Sequence, residues 1–185
     1  NIMIVGVGGQ GTLLASRILG KVAIKEGYDV KVSEVHGMSQ RGGSVVTYVK
    51  YGDKVYSPII DRGEADLILA FEMLEAMRAL PYLKKGGKMI ANTQKMNPMP
   101  VITGAMEYPE NIEEKLSAKI NLQAVDALSL AEKAGTIKAV NVVLIGLLAK
   151  SMDVDKNVWI DVIKETVPEK FLDVNIKAFE LGYEL

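Results

Sequence analysis

The sequence predicts an α/β fold: a Rossmann-like open sheet, mostly parallel, with an inserted β-hairpin and a helical C-terminal portion, in a single domain spanning residues 1–185. Three observations predict it. A short apolar run at the start turns through a glycine-rich segment into a helical pattern. Strand-like and helix-like stretches then alternate through the middle, and the last third reads as helix.

Residues 2–5 are continuously apolar, as in a strand buried on both faces. Leu13, Leu14, Ile18, Val22 and Ile24 then recur at helical spacing until Gly27. Residues 28–34 read as a second strand with Val30 and Val32 on one face. Residues 44–51 and 54–57 read as a β-hairpin about Gly52-Asp53, a pair suited to a tight turn. The alternation resumes with a strand at 65–71, a helix at 72–83 broken near Pro81, and a strand at 87–92. A Pro/Met-rich loop follows at 96–100, then helix at 111–118, strand at 121–125 and helix at 128–134. Residues 139–150 are apolar on all sides, which predicts a helix wholly inside a core or under a partner. Two further helices, 155–167 and 169–181, are separated by Pro168.

Composition narrows the function classes. Lys+Arg total 22 against 23 Asp+Glu, so no basic excess exists to bind nucleic acid. The chain has no cysteine, which removes thiolate nucleophiles and cysteine-held zinc or iron–sulfur centres. His36 is the single histidine, so no bound metal is expected. No apolar run is long enough to span a membrane. With the first strand beginning at Ile2, no secretory leader is expected, and the cytoplasm is the expected location.

Gly6, Gly8 and Gly11 match G-x-G-x-x-G between a strand and a helix. Such a turn lets helix N–H groups approach a phosphate, and Glu34 stands where a dinucleotide enzyme carries its ribose-binding carboxylate. The same glycines serve equally well as a plain turn. A hairpin where a crossover helix should follow argues against bound NAD.

The most unusual stretch is Glu34-Val35-His36-Gly37-Met38-Ser39-Gln40-Arg41-Gly42-Gly43. Period-two alternation puts Glu34 and His36 on one side, where a carboxylate can orient an imidazole for acid–base work. A purely loop-pinning role fits a lone histidine better than catalysis, and the two are weak catalytic candidates. Gly8, Gly9, Gln10, Gly11, Thr12, Ser39, Gln40, Arg41, Gly42 and Gly43 are the candidates for ligand contact, because this cluster falls at the carboxyl end of the parallel strands.

At these two loops the chain resembles the gamma-type domain of the 2-oxoacid:ferredoxin oxidoreductases. Asn141-Val142-Val143-Leu144-Ile145-Gly146 and Asn175-Ile176-Lys177-Ala178-Phe179-Glu180-Leu181-Gly182 extend the resemblance over essentially the whole chain. The form of the second loop is similar to the indolepyruvate branch, whereas pyruvate and 2-oxoglutarate relatives tend to carry Gly-Pro-Glu-x-Arg-Gly-Gly there. The resemblance implies a cofactor-free subunit, inactive alone, that supports oxidative decarboxylation of aryl 2-oxoacids to acyl-CoA. Thiamine diphosphate, magnesium and iron–sulfur clusters would sit on a large partner subunit. CoA would be the co-substrate, and ferredoxin would be reached through the complex. This chain would complete the active-site wall or the CoA path.

Other readings stay open: a freestanding nucleotide-binding protein, a gamma subunit of a pyruvate or 2-oxoglutarate relative, or an interaction domain without a ligand. A homodimer of the isolated chain is open too. Asn141 reads as a cap or buried hydrogen-bonder, Trp159 and Tyr183 as amphipathic residues compatible with an interface, and most of the methionines as core filling.

Overall fold

A computed structural model describes residues 1–37 and 42–185. The strands are β1 (Ile2–Val7), β2 (Asp29–His36), β3 (Ser44–Gly52), β4 (Ala65–Ala70), β5 (Leu83–Asn92) and β6 (Asn121–Val125). The α-helices are α1 (Thr12–Lys25), α2 (Met73–Ala79), α3 (Met99–Ile102), α4 (Ile112–Ser117), α5 (Ala127–Ala134), α6 (Val140–Lys150), α7 (Lys156–Thr166) and α8 (Leu172–Tyr183). Among the described residues the strands form one sheet in the order β2-β3-β1-β4-β5-β6.

β1, β4, β5 and β6 pair in parallel, and β3 runs antiparallel to both β1 and β2. From β1 the chain first winds to one side and then to the other. The switch therefore lies at β1, where open α/β sheets form a crevice beyond the carboxyl ends of the strands.

The expected hairpin of 44–51 with 54–57 does not form. β3 instead pairs along its whole length with β2, from Asp29 opposite Gly52 to His36 opposite Val45. Val30 and Val32 offer the alternating apolar surface that Tyr51 and Val49 need, and residues 54–57 have no such run. The Asp29 carboxylate takes the Val55 N–H at 2.9 Å, so this segment ends as a loop against the start of β2. At Pro98-Met99-Pro100 the expected loop contains the one-turn α3, with Pro100 in the first turn where its missing N–H costs nothing.

The two faces of the sheet are unequal. One carries α1, α5, α6, α7 and α8 over Ile2, Ile4, Val49, Leu69 and Ile90. The other carries α2 and α4 over Met3, Val5, Ile68, Ala70 and Met89. Trp159 belongs to the first core and not to an interface: it is fully buried on the inner side of α7 and stacks on Phe179. Apolar all round, α6 is covered on every side except at Lys150.

Helices α6 and α8 cross backbone against backbone. A Cβ on Gly146 would stand 2.2 Å from the Phe179 carbonyl oxygen, and one on Gly182 would stand 2.0 Å from that of Val143. Either methyl forces the helices apart. We expect Gly146→Ala and Gly182→Ala each to lose about 1–3 kcal/mol in urea unfolding, the cost of overpacking. Gly52→Ala, whose Cβ meets open space, should stay within about 0.5 kcal/mol of the parent.

Helix α5 starts on Asp126, whose carboxylate accepts the Ser129 N–H at 3.0 Å and the Ser129 hydroxyl at 2.5 Å. The Ser129 hydroxyl first, and then its N–H, hold this carboxyl below the usual carboxylate value. The stabilisation is therefore complete above the unfolded aspartate range and fades as the pH falls through the depressed folded value. Asp126→Ala should cost about 1 kcal/mol at neutral pH. In urea titrations its deficit should shrink toward zero below the folded value.

Candidate functional site

The carboxyl end of β1 must turn into α1 while hemmed in by β3 and β4. Gly11 opens the helix at φ 84°, a left-handed conformation that suits glycine. A Cβ there would stand 2.5 Å from the Asn141 amide nitrogen, which donates to the Gly11 carbonyl at 3.3 Å. The Asn141 side-chain oxygen accepts the Val142 N–H at 3.0 Å. Asn141 is thus the buried hydrogen-bonder expected of it, joining α6 to the glycine turn.

The Gln10 side chain points back into the end of the sheet. Its oxygen accepts the Val7 N–H at 2.7 Å. Its nitrogen donates to the Phe71 carbonyl at 3.1 Å and to the Gln94 side-chain oxygen at 3.3 Å. Beside it the buried Asn92 amide donates to the Phe71 carbonyl and accepts the Ala127 N–H. These amides satisfy the strand ends of β1 and β4 where the ladder stops.

The two motif segments meet through the backbone. Gly8 N–H donates to the Gly43 carbonyl at 2.8 Å, and Gly42 N–H donates to the Gly8 carbonyl at 3.3 Å. Beside this double rung opens a cleft of about 430 Å³, lined by Gly8, Gly9, Gly11, Thr12, Leu13, Glu34, His36 and Val45. The positive end of the 14-residue α1 faces it, with neither a capping side chain nor an acidic residue in the first turn.

Glu34 and His36 lie on the α1 side of the sheet, as period-two alternation predicts. His36 Nδ1 stands 3.6 Å from Glu34 Oε1, an ion-pair distance when the ring is charged but too long for a tautomer-fixing hydrogen bond. Thr47 donates to the second Glu34 oxygen at 3.4 Å.

Of the predicted contact residues, Gly8, Gly9, Gly11 and Thr12 line the cleft, Gly42 and Gly43 build its rung, and Gln10 braces it from within the sheet. Ser39, Gln40 and Arg41 lie outside the described residues. Among the described residues no group of three acidic or histidine side chains is placed to hold a metal, and no helix is long and apolar enough to cross a membrane.

Sequence reasoning missed a buried carboxylate pair on the other face. Glu72 and Glu75 are only 1% and 4% exposed. Glu72 caps α2 by accepting the Glu75 N–H at 2.9 Å. Its other oxygen accepts the Met96 N–H at 3.0 Å and the Tyr108 hydroxyl at 2.5 Å. Burial first, and then this carboxylate, push the Tyr108 phenol far above its ordinary value, so it remains a donor. Glu75 accepts from the Ser44 hydroxyl at 2.5 Å and from Arg78 at 2.6 Å. The available signal was Glu-x-x-Glu directly after a buried strand, the spacing of a cap.

Residues 1–185 match the family described as pyruvate ferredoxin/flavodoxin oxidoreductase. The chain belongs to that family. Among its relatives, indolepyruvate oxidoreductase subunit IorB of Pyrococcus horikoshii is 47% identical over 98% of this chain and 93% of that protein. The subunit of the same name from Archaeoglobus fulgidus is 42% identical over 99% and 93%. The pyruvate/ketoisovalerate oxidoreductases common subunit gamma of Thermococcus kodakarensis is 30% identical over 96% and 92%. The crystal structure of a keto/oxoacid ferredoxin oxidoreductase gamma subunit from Geobacter sulfurreducens superposes with a TM-score of 0.73 at 25% identity, covering 99% of this chain and 95% of that one.

Gln10 braces the turn through three hydrogen bonds at the sheet end. Gln10→Ala should cost roughly 1–3 kcal/mol in urea unfolding, because the Val7 N–H loses its partner in a partly buried site.

Proposed function

We propose that the chain is the small subunit of a heteromeric indolepyruvate oxidoreductase. In this reading its cleft completes the wall of the active site or the CoA path of the complex. The observation that carries this is the similarity to the IorB subunits, such as 47% identity over 98% of this chain and 93% of the Pyrococcus horikoshii subunit. The chain's own chemistry supports it. With no cysteine it offers no ligands for an iron–sulfur cluster, so electron transfer belongs to a partner. Thiamine diphosphate and magnesium are assigned to that partner as well, with CoA as co-substrate and ferredoxin as acceptor of the complex.

Within the cleft, the residues of this chain bind and orient rather than transform. The open N-terminus of α1 suits an anionic group, and Glu34 and His36 set the polarity of the opposite wall. Ser39, Gln40 and Arg41 belong to the same proposal, as do the glycines of the rung.

A second reading, a gamma subunit serving pyruvate or related acids, draws on the 30% identical common subunit. The weaker identity places it behind the first.

Co-expression with an indolepyruvate oxidoreductase large subunit, followed by an anaerobic assay of CoA-dependent viologen or ferredoxin reduction, tests both. We expect activity only with both chains, and kcat/KM for indolepyruvate and phenylpyruvate at least about tenfold above that for pyruvate, a difference of about 1.4 kcal/mol. A preference for pyruvate would transfer the assignment to the second reading. Full activity of the large subunit alone, or no complex, would sink both.

A further inference from the structure

A short hydrogen bond joins Ser44, at the end of the sheet, to Glu75 of α2. Ser44 is the first residue of β3 and directly follows the rung-forming Gly42 and Gly43. It pairs with Val7 at the last register position of β1, and its neighbour Val45 lines the cleft. Side chains alternate along a strand, so Ser44 points to the opposite face, into α2. There its hydroxyl donates to Glu75 at 2.5 Å.

The anchor is itself rigidly held. Glu75 is buried, its second oxygen is paired with Arg78 at 2.6 Å, and its N–H is capped by Glu72. A carboxylate in such a place is costly unless its partners are correctly placed, which makes it a demanding geometric constraint. An apolar residue in the first turn of α2 would fill the same space without fixing the strand end.

We propose that Ser44 and Glu75 are positioning residues of the cleft. From the far side of the sheet they fix the start of β3, and so hold the Gly42–Gly43 backbone against Gly8. Neither side chain touches the cleft. The functional consequence rests on the reading of the cleft as part of the complex's active-site or CoA wall; the positioning itself does not.

The test uses Ser44→Ala, Ser44→Thr and Glu75→Gln in the co-expressed complex, with two readouts. The first is amide hydrogen exchange at Gly8 and Gly42, with the β4 amides as an internal reference. Ser44→Ala should accelerate exchange at Gly8 and Gly42 about tenfold, the size expected when a hydrogen bond to a charged group is lost, with β4 unaffected. Ser44→Thr keeps the hydroxyl and should restore parent exchange. Glu75→Gln keeps a neutral acceptor and should fall between them.

The second readout is steady-state kinetics. The same variants should raise KM for CoA or for the 2-oxoacid severalfold, with kcat within about twofold of the parent. Unchanged exchange at Gly8 and Gly42 in Ser44→Ala would overturn the proposal, as would acceleration spread equally over β4. Local acceleration with unaltered kinetics would uphold the positioning and reject the cleft's part in the reaction.

Discussion

The glycine turn at the carboxyl end of the sheet depends on how the last peptide groups of β1 are satisfied. β1 lies inside the sheet and is buried on both faces, so its last peptide groups need a partner from the protein where it breaks off. Gln10 takes that place, bridging the Val7 N–H to the Phe71 carbonyl at the end of β4. The turn can then be built almost wholly of glycine, because its support comes from an amide two strands wide. Gly8, Gly9 and Gly11 are left bare toward the cleft.

The same economy recurs on either side. Asn141 holds the Gly11 carbonyl from α6, and Asn92 ties the β4 end to the first turn of α5. On the opposite face the Glu72–Glu75 pair joins the start of β3, residue 96 and Tyr108 to α2. The glycine side of the cleft thus has a backbone surface, and its side-chain frame stands behind it. Such a division leaves the N-terminus of α1 and the glycine backbone facing the cleft, as the proposed role of the cleft requires.

Much of this was legible in the sequence, for identifiable reasons. Buried parallel strands are continuous apolar runs, which made β1 and β4 plain; the glycine stop and Pro168 marked helix ends. Glu34 and His36 were placed on one side by alternation alone, and they share the cleft with Gly8 and Gly11. Pairing partners were less accessible. Gly52-Asp53 is a good local turn signal, yet β3 pairs with β2 because the valines of both strands match in register. The Glu75–Ser44 bond was hidden because its partners stand 31 residues apart and become neighbours only through sheet order. The burial of Trp159 was out of reach because an amphipathic side chain says nothing of which helix face looks inward.

The antiparallel β3 has a further consequence, for assembly of the chain. β1 and β2 are joined by α1 but never pair with each other; β3 stands between them and pairs with both. The opening strand–helix–strand stretch therefore lacks the sheet contact that ordinarily closes such a unit. During synthesis it has no native sheet pairing to settle into until residues 44–52 emerge and fill the gap from within. The part of the sequence that most resembles an independent nucleotide-binding unit thus cannot close its own sheet.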